Sequence, residues 1–172
     1  MRCVSRLALL LLFGCSGASP EREEVIQTMK AKAEEVGRAI VAGDQKTVVD
    51  LTHPKVVQMM GSRDGMIILL ERTAREMKSR RTFIRSVEFE EPVDMQGWGD
   101  ELFGVVPFTL EMALGDRRAM QKSYLIGVSS DGGKTWTFVD GAQADRAMVQ
   151  RLFPNFPDKL RLPERQEPVE IN

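Results

Sequence analysis

Residues 119–140 read AMQKSYLIGVSSDGGKTWTFVD, and this stretch decides the fold class. Ala119–Val128 and Thr135–Asp140 are runs rich in β-branched, aromatic and apolar side chains. Between them Asp131-Gly132-Gly133-Lys134 supplies the residues of a tight turn. Two such runs around a glycine turn predict an antiparallel hairpin. Working upstream, Glu101–Met112 predicts a further strand, with Gly115-Asp116 as the turn that joins it to the next. Thr82–Glu90 alternates, placing Phe83, Val87 and Phe89 on one side and Ser86, Glu88 and Glu90 on the other. The four strands make a meander.

Before residue 80 the period changes. Val25, Ile26, Met29, Ala33, Val36 and Ile40 recur at helical spacing, so Glu21–Ala42 predicts an amphipathic helix. Ser19-Pro20 opens it and Gly43 closes it. A second, short helix starts at Gly43-Asp44, turns Val48, Val49 and Leu51 inward and ends at Pro54. Pro54–Met60 reads as a short extended piece. Ser62 caps a third helix, Arg63–Ser79, with an inner stripe of Met66, Ile67, Leu70, Ala74 and Met77. Glu71 and Arg75 lie one turn apart on its outer face and can pair. A short helix over Ala142–Leu152 follows the last strand. Helices followed by strands argue an α+β domain, here residues 21–153. The tail, residues 154–172, is rich in proline and charge and is expected to lie extended on the surface.

The chain opens MRCVSRLALLLLFGCSG. Arg2 and Arg6 precede an apolar run, Leu7–Phe13, that is far shorter than the ~20 residues of a membrane span. This is the pattern of a secretory signal. Leu12-Phe13-Gly14-Cys15 resembles the bacterial lipobox. That resemblance implies a signal over residues 1–14, a diacylglyceryl group (with added palmitate) on the Cys15 thiol, and a lipid-anchored linker over residues 15–20. Several acyl chains make such anchoring stable. The expected location is the cell envelope, at the outer membrane where there is one, since Ser16 is not the aspartate of an inner-membrane signal. Plain secretion, with cleavage after Gly17 or Ala18, is the alternative.

Cys3 and Cys15 are the only cysteines, so the domain has no thiol for a disulfide, a zinc site or a nucleophile. The chain has 24 basic and 25 acidic residues. Without Arg2 and Arg6 the balance is 22 against 25, a net charge of −3, which does not suit a nucleic-acid partner.

The phrases Ala42-Gly43-Asp44, Leu51-Thr52-His53-Pro54 and Gly61-Ser62-Arg63-Asp64-Gly65-Met66, together with the order of elements, resemble the nuclear transport factor two-like (polyketide cyclase-like) superfamily over about residues 21–142. The stretches VVDLTHPKVVQMMG and SYLIGVSSDGGKTWTFVDGA are similar to small exported bacterial proteins of that fold. The resemblance implies three N-terminal helices packed on a curved antiparallel sheet, a cone-like α+β barrel with a pocket, and often a homodimer. It implies no particular reaction, because the superfamily holds both enzymes and binding modules. Ser129, Asp131, Gly133, Thr135 and Trp136 match the Asp-box pattern S-x-D-x-G-x-T-W, which elsewhere is a structural hairpin.

His53 is the only histidine and so the natural candidate for a base near neutral pH, with a structural helix-end role as the plainer alternative. Tyr124, Trp136, Phe138 and Asp140 lie on the last two strands, and with His53 they are the candidates to line a pocket. An acid beside aromatic rings is a candidate base, which puts Asp140 beside Tyr124 and His53 as a catalytic set; Asp140-Gly141 as a simple turn is the competing expectation. A single histidine argues against a transition-metal site, and no cofactor is expected. Arg72, Arg75, Lys78, Arg80, Arg81 and Arg85 cluster around the end of the third helix, where cations suit the helix dipole. The interleaved acids suit a solvated helix end, with anionic lipid headgroups as the functional alternative. Trp98, on a hairpin tip, is either a contact residue or tucked onto the sheet. The sequence thus predicts an exported, lipid-anchored module that binds a small apolar ligand or a protein. A small lyase or isomerase is the alternative.

Overall fold

A computed structural model describes residues 20–98, 101–164 and 166–171. The signal (residues 1–14), Cys15, the linker up to residue 19 and the Trp98 side chain lie outside the described residues.

Four helices come first: α1 (Pro20–Ala42), α2 (Gln45–Leu51), α3 (Pro54–Met59) and α4 (Arg63–Ser79). Six strands follow, β1 (Thr82–Phe89), β2 (Asp94–Trp98), β3 (Glu101–Leu114), β4 (Arg117–Ser129), β5 (Thr137–Asp140) and β6 (Val169–Ile171), with α5 (Arg146–Leu152) between the last two. All pairings of these strands are antiparallel. The order is β1-β3-β4-β5, with β2 beside β3 and β6 beside β4, and the sheet stays open. The α+β class is as the periodicity indicates.

The long β3–β4 hairpin is the spine. Its residues alternate between two cores, one on each face of the sheet. On one face, Val106 and Leu125 meet Met29, Ala33 and Val36 of α1, with Trp136 and Phe138 beside them. On the other, Phe103, Val105, Tyr124, Ile126 and Val128 meet Val149 of α5 and then Phe153, Phe156 and Leu160. Burying each of these larger side chains contributes roughly 1.5–3 kcal/mol.

The structure corrects several expectations. Residues 54–60 are helical over Pro54–Met59. Val56 and Val57 suggest a strand, but Pro54 fits the first helical turn and the His53 Nδ1 accepts a hydrogen bond from the Lys55 N–H at 3.2 Å, capping it. In β1 the pairing shifts between Ile84 and Ser86, so Arg85 is an extra residue. A one-residue bulge inverts the faces, which turns Ile84 inward in place of Phe83, and Phe83 is 46% exposed. Ala74 of α4 is exposed, whereas Met66, Ile67, Leu70 and Met77 are at least half-buried. The helix after β5 starts at Arg146, not Ala142, where Asp145 accepts from the Met148 N–H at 2.7 Å. β2 and β6 add two strands to the four-strand meander.

The tail departs furthest. Phe156 and Leu160 are buried, and Val169–Ile171 pairs with the start of β4. Arg146 holds this strap: its guanidinium donates to the Pro157 carbonyl at 3.4 Å and to the Leu160 carbonyl, and sits 5.5 Å from the Phe156 ring centre. The folded unit therefore runs beyond residue 153.

Candidate functional site

The candidate residues gather around the last strands, and most are occupied by the fold. Asp44 and Ser62 cap α2 and α4 through the Thr47 and Gly65 N–H groups, and the Thr52–Phe138 bridge draws the α2–α3 junction onto β5. The His53 N–H donates to the Phe138 carbonyl at 2.8 Å. Its ring meets Phe153 edge-on at 4.7 Å, and its Nδ1 is taken by the cap of α3. Burial, and then the neighbouring Lys55 charge, push the imidazole down to about 4. It is neutral at pH 7, with one nitrogen already accepting.

That depression has a sign. The unfolded imidazole takes a proton near pH 6.5 and the folded one near 4, so His53 lowers stability as the pH falls between those values. Discounted for the part of the group that water still reaches, the loss is about 2 kcal/mol. His53→Asn keeps a capping acceptor and removes the titration. Urea midpoints at pH 7 and pH 4.5 are expected to differ more for the native chain than for this variant.

Tyr124 is buried on the face opposite Trp136 and Phe138, so these three do not line one pocket. Its ring lies against Gly141, where an added Cβ would collide with it, and the Gly141 N–H donates to the Tyr124 carbonyl at 3.0 Å. Burial, then the Asp140 charge, raise the phenol, while Arg146 opposes them. Asp140 is exposed, and its Oδ1 accepts from the Ala142 N–H at 2.9 Å, closing the turn. A cavity of about 360 Å³ is lined by Tyr124, Gly141, Ala144, Asp145, Met148 and Arg151. His53 and Asp140 are not in its wall.

The middle of the space between α1 and the sheet is filled. The Met29 thioether lies over Gly104 and Gly127 so closely that a Cβ on Gly127 would fall 2.9 Å from its sulfur. Trp136 adds its ring, with Nε1 donating to the Gly133 carbonyl at 3.0 Å. What remains is a groove of about 620 Å³ at the side, between α1 and β1, walled by Glu34, Arg38, Arg85 and Glu88 over Val87 and Phe89.

The Asp-box hairpin carries the densest polar network. The Asp131 carboxylate accepts from the Lys134 and Thr135 N–H groups at 3.0 and 2.9 Å and from the Thr135 hydroxyl at 2.7 Å. The Ser129 hydroxyl donates to Asp131 at 2.8 Å and accepts from the Gly133 N–H at 2.9 Å. The Thr135 and Ser129 hydrogen bonds hold the Asp131 carboxyl well below the usual range. All these partners belong to the turn itself, so the network shapes the hairpin.

Among the described residues no group of three His, Cys, Asp or Glu is placed to hold a metal ion, and no helix is long and apolar enough to cross a membrane. No protein-family model matches the chain, and neither does any curated protein.

Proposed function

We propose that this protein is an envelope-tethered interaction module with a packed interior, held to a bilayer through lipid on Cys15. The observation that carries the reading is Met29 of α1 packed against Gly104 and Gly127, which fills the middle of the α1–sheet interface and confines open space to the groove beside β1. The enzyme alternative needs His53, Tyr124 and Asp140 around one substrate position. Their separate structural roles, as helix cap, core residue and turn former, weigh against it. With Leu12-Phe13-Gly14-Cys15 ahead of the domain, such a module is presented at a membrane surface.

Native mass spectrometry of the full chain, produced in a bacterium and released in detergent, tests both halves. The expected mass lacks residues 1–14, carries acyl groups on Cys15 and includes no further small molecule. Cys15→Ser is expected to retain residues 1–14 and to lose the acyl mass. An unchanged mass in that variant refutes the tether. A reproducible additional small molecule refutes the packed interior.

A further inference from the structure

The end of the sheet formed by the β3–β4 turn carries exposed apolar side chains and meets the cationic end of α4. Register places them. Phe83 pairs with Ala113, Ala113 with Arg118 and Arg118 with Ile171. One step along, Ser86 pairs with Glu111, Glu111 with Met120 and Met120 with Val169. Directly paired residues and those two apart share a face. Phe83, Met120 and Val169 therefore lie on one face, 46%, 39% and 66% exposed. Farther along this face α5 and the strap provide cover; here they do not.

The cations adjoin this patch along the chain. Lys78, Arg80 and Arg81 end α4 and lead into Phe83, and the Arg81 carbonyl accepts from the Gly115 N–H of the β3–β4 turn at 2.9 Å. None of the three forms an ion pair with a described residue, in contrast to Arg72 and Arg75, which pair with Glu76 and Glu71. Acids nearby are engaged: Glu111 with Arg118 at 3.3 Å and Glu170 with Arg117, leaving Asp116. Arg81 also holds φ at +53°, the left-handed conformation in which a helix normally ends on glycine. A guanidinium is thus kept where glycine would be less strained.

We infer that this end of the sheet docks on an anionic lipid bilayer, through Lys78, Arg80 and Arg81 at the headgroups and Phe83, Met120 and Val169 at the acyl boundary. Cations alone would suit any polyanion. The apolar side chains beside them select a surface that offers negative charge above hydrocarbon. The contact does not use Cys15, so it stands or falls apart from the tether.

The test uses the full chain with Cys3→Ser and Cys15→Ser, and with Met120→Cys carrying an environment-sensitive fluorophore. Vesicles of phosphatidylcholine with a third phosphatidylglycerol are expected to blue-shift the emission, and pure phosphatidylcholine vesicles are not. The shift is expected to weaken with salt. Arg81→Gly relieves the backbone, so it folds at least as well, yet it is expected to bind roughly fivefold more weakly, the effect of one cation near the surface. An unshifted label, equal shifts on both vesicles, or full binding by Arg81→Gly overturns the inference. So does a shift from a label at Lys134→Cys, on the hairpin at the sheet's other end, with none at Met120→Cys. Equally tight binding to soluble polyglutamate with the label still in water would make the partner an acidic polymer and overturn it too.

Discussion

Phe156→Ala is expected to cost about 3–5 kcal/mol, the range for emptying a buried aromatic site. Phe156 stands in a part of the chain whose composition suggests a solvated tail, yet it is 4% exposed. Its ring meets Phe103 edge-on at 5.3 Å, and Arg146 lies over it at 5.5 Å. Truncation removes both ring contacts and loosens the strap that Arg146 fastens. Urea unfolding followed by tryptophan fluorescence measures it as a lower midpoint at unchanged slope. An unaltered midpoint would mean that the strap does not close the core. Pro163→Ala, at an exposed position farther along, is the matched control and is expected to stay within about 0.5 kcal/mol.

Gly133→Ala is expected to destabilise by about 3 kcal/mol, for two separate reasons. Gly133 has φ +91°, which an L side chain adopts only under strain. Its Cβ would also fall 2.5 Å from Val25 Cγ1, so α1 would have to shift off the hairpin. Gly132 has φ +74° and nothing within 4 Å of an added Cβ, so Gly132→Ala bears the first cost without the second. The difference between the two variants in thermal or urea midpoint isolates the contact between α1 and the Asp-box turn. Equal effects would show that backbone conformation alone matters there.

The extent to which the fold is legible in the sequence follows from where the signal is local. The Asp-box turn is written in consecutive residues, and its bonds run among Ser129, Asp131, Gly133 and Thr135 as the pattern requires. The stripe of α1 is likewise a property of one helix, and Met29, Ala33 and Val36 are buried as its period indicates. The bulge at Arg85 has no local mark, and it reverses which of Phe83 and Ile84 faces inward. Val56-Val57 favours a strand by propensity, but Pro54 and the His53 cap decide otherwise. The strap is hidden because Phe156 and Leu160 sit singly among prolines and charges and are buried by partners far away in the chain. The candidate site is hidden for a related reason. Aromatic residues on β4 and β5 can be counted, but their faces depend on register, which puts Tyr124 on one side and Phe138 on the other.

The Asp-box hairpin, where Val25 of α1 reaches Gly133, and the β3–β4 turn lie at opposite ends of the sheet's spine. The 14 residues of β3 span roughly 45 Å at ~3.3 Å each. Cys15 is five residues from the start of α1, a reach of at most about 18 Å. A bilayer that holds the chain at Cys15 and also receives the β3–β4 end must therefore run beneath the whole length of the spine. The two attachments then act as a bivalent grip, in which the first raises the effective concentration of the second. The molecule would lie along the membrane rather than stand on it.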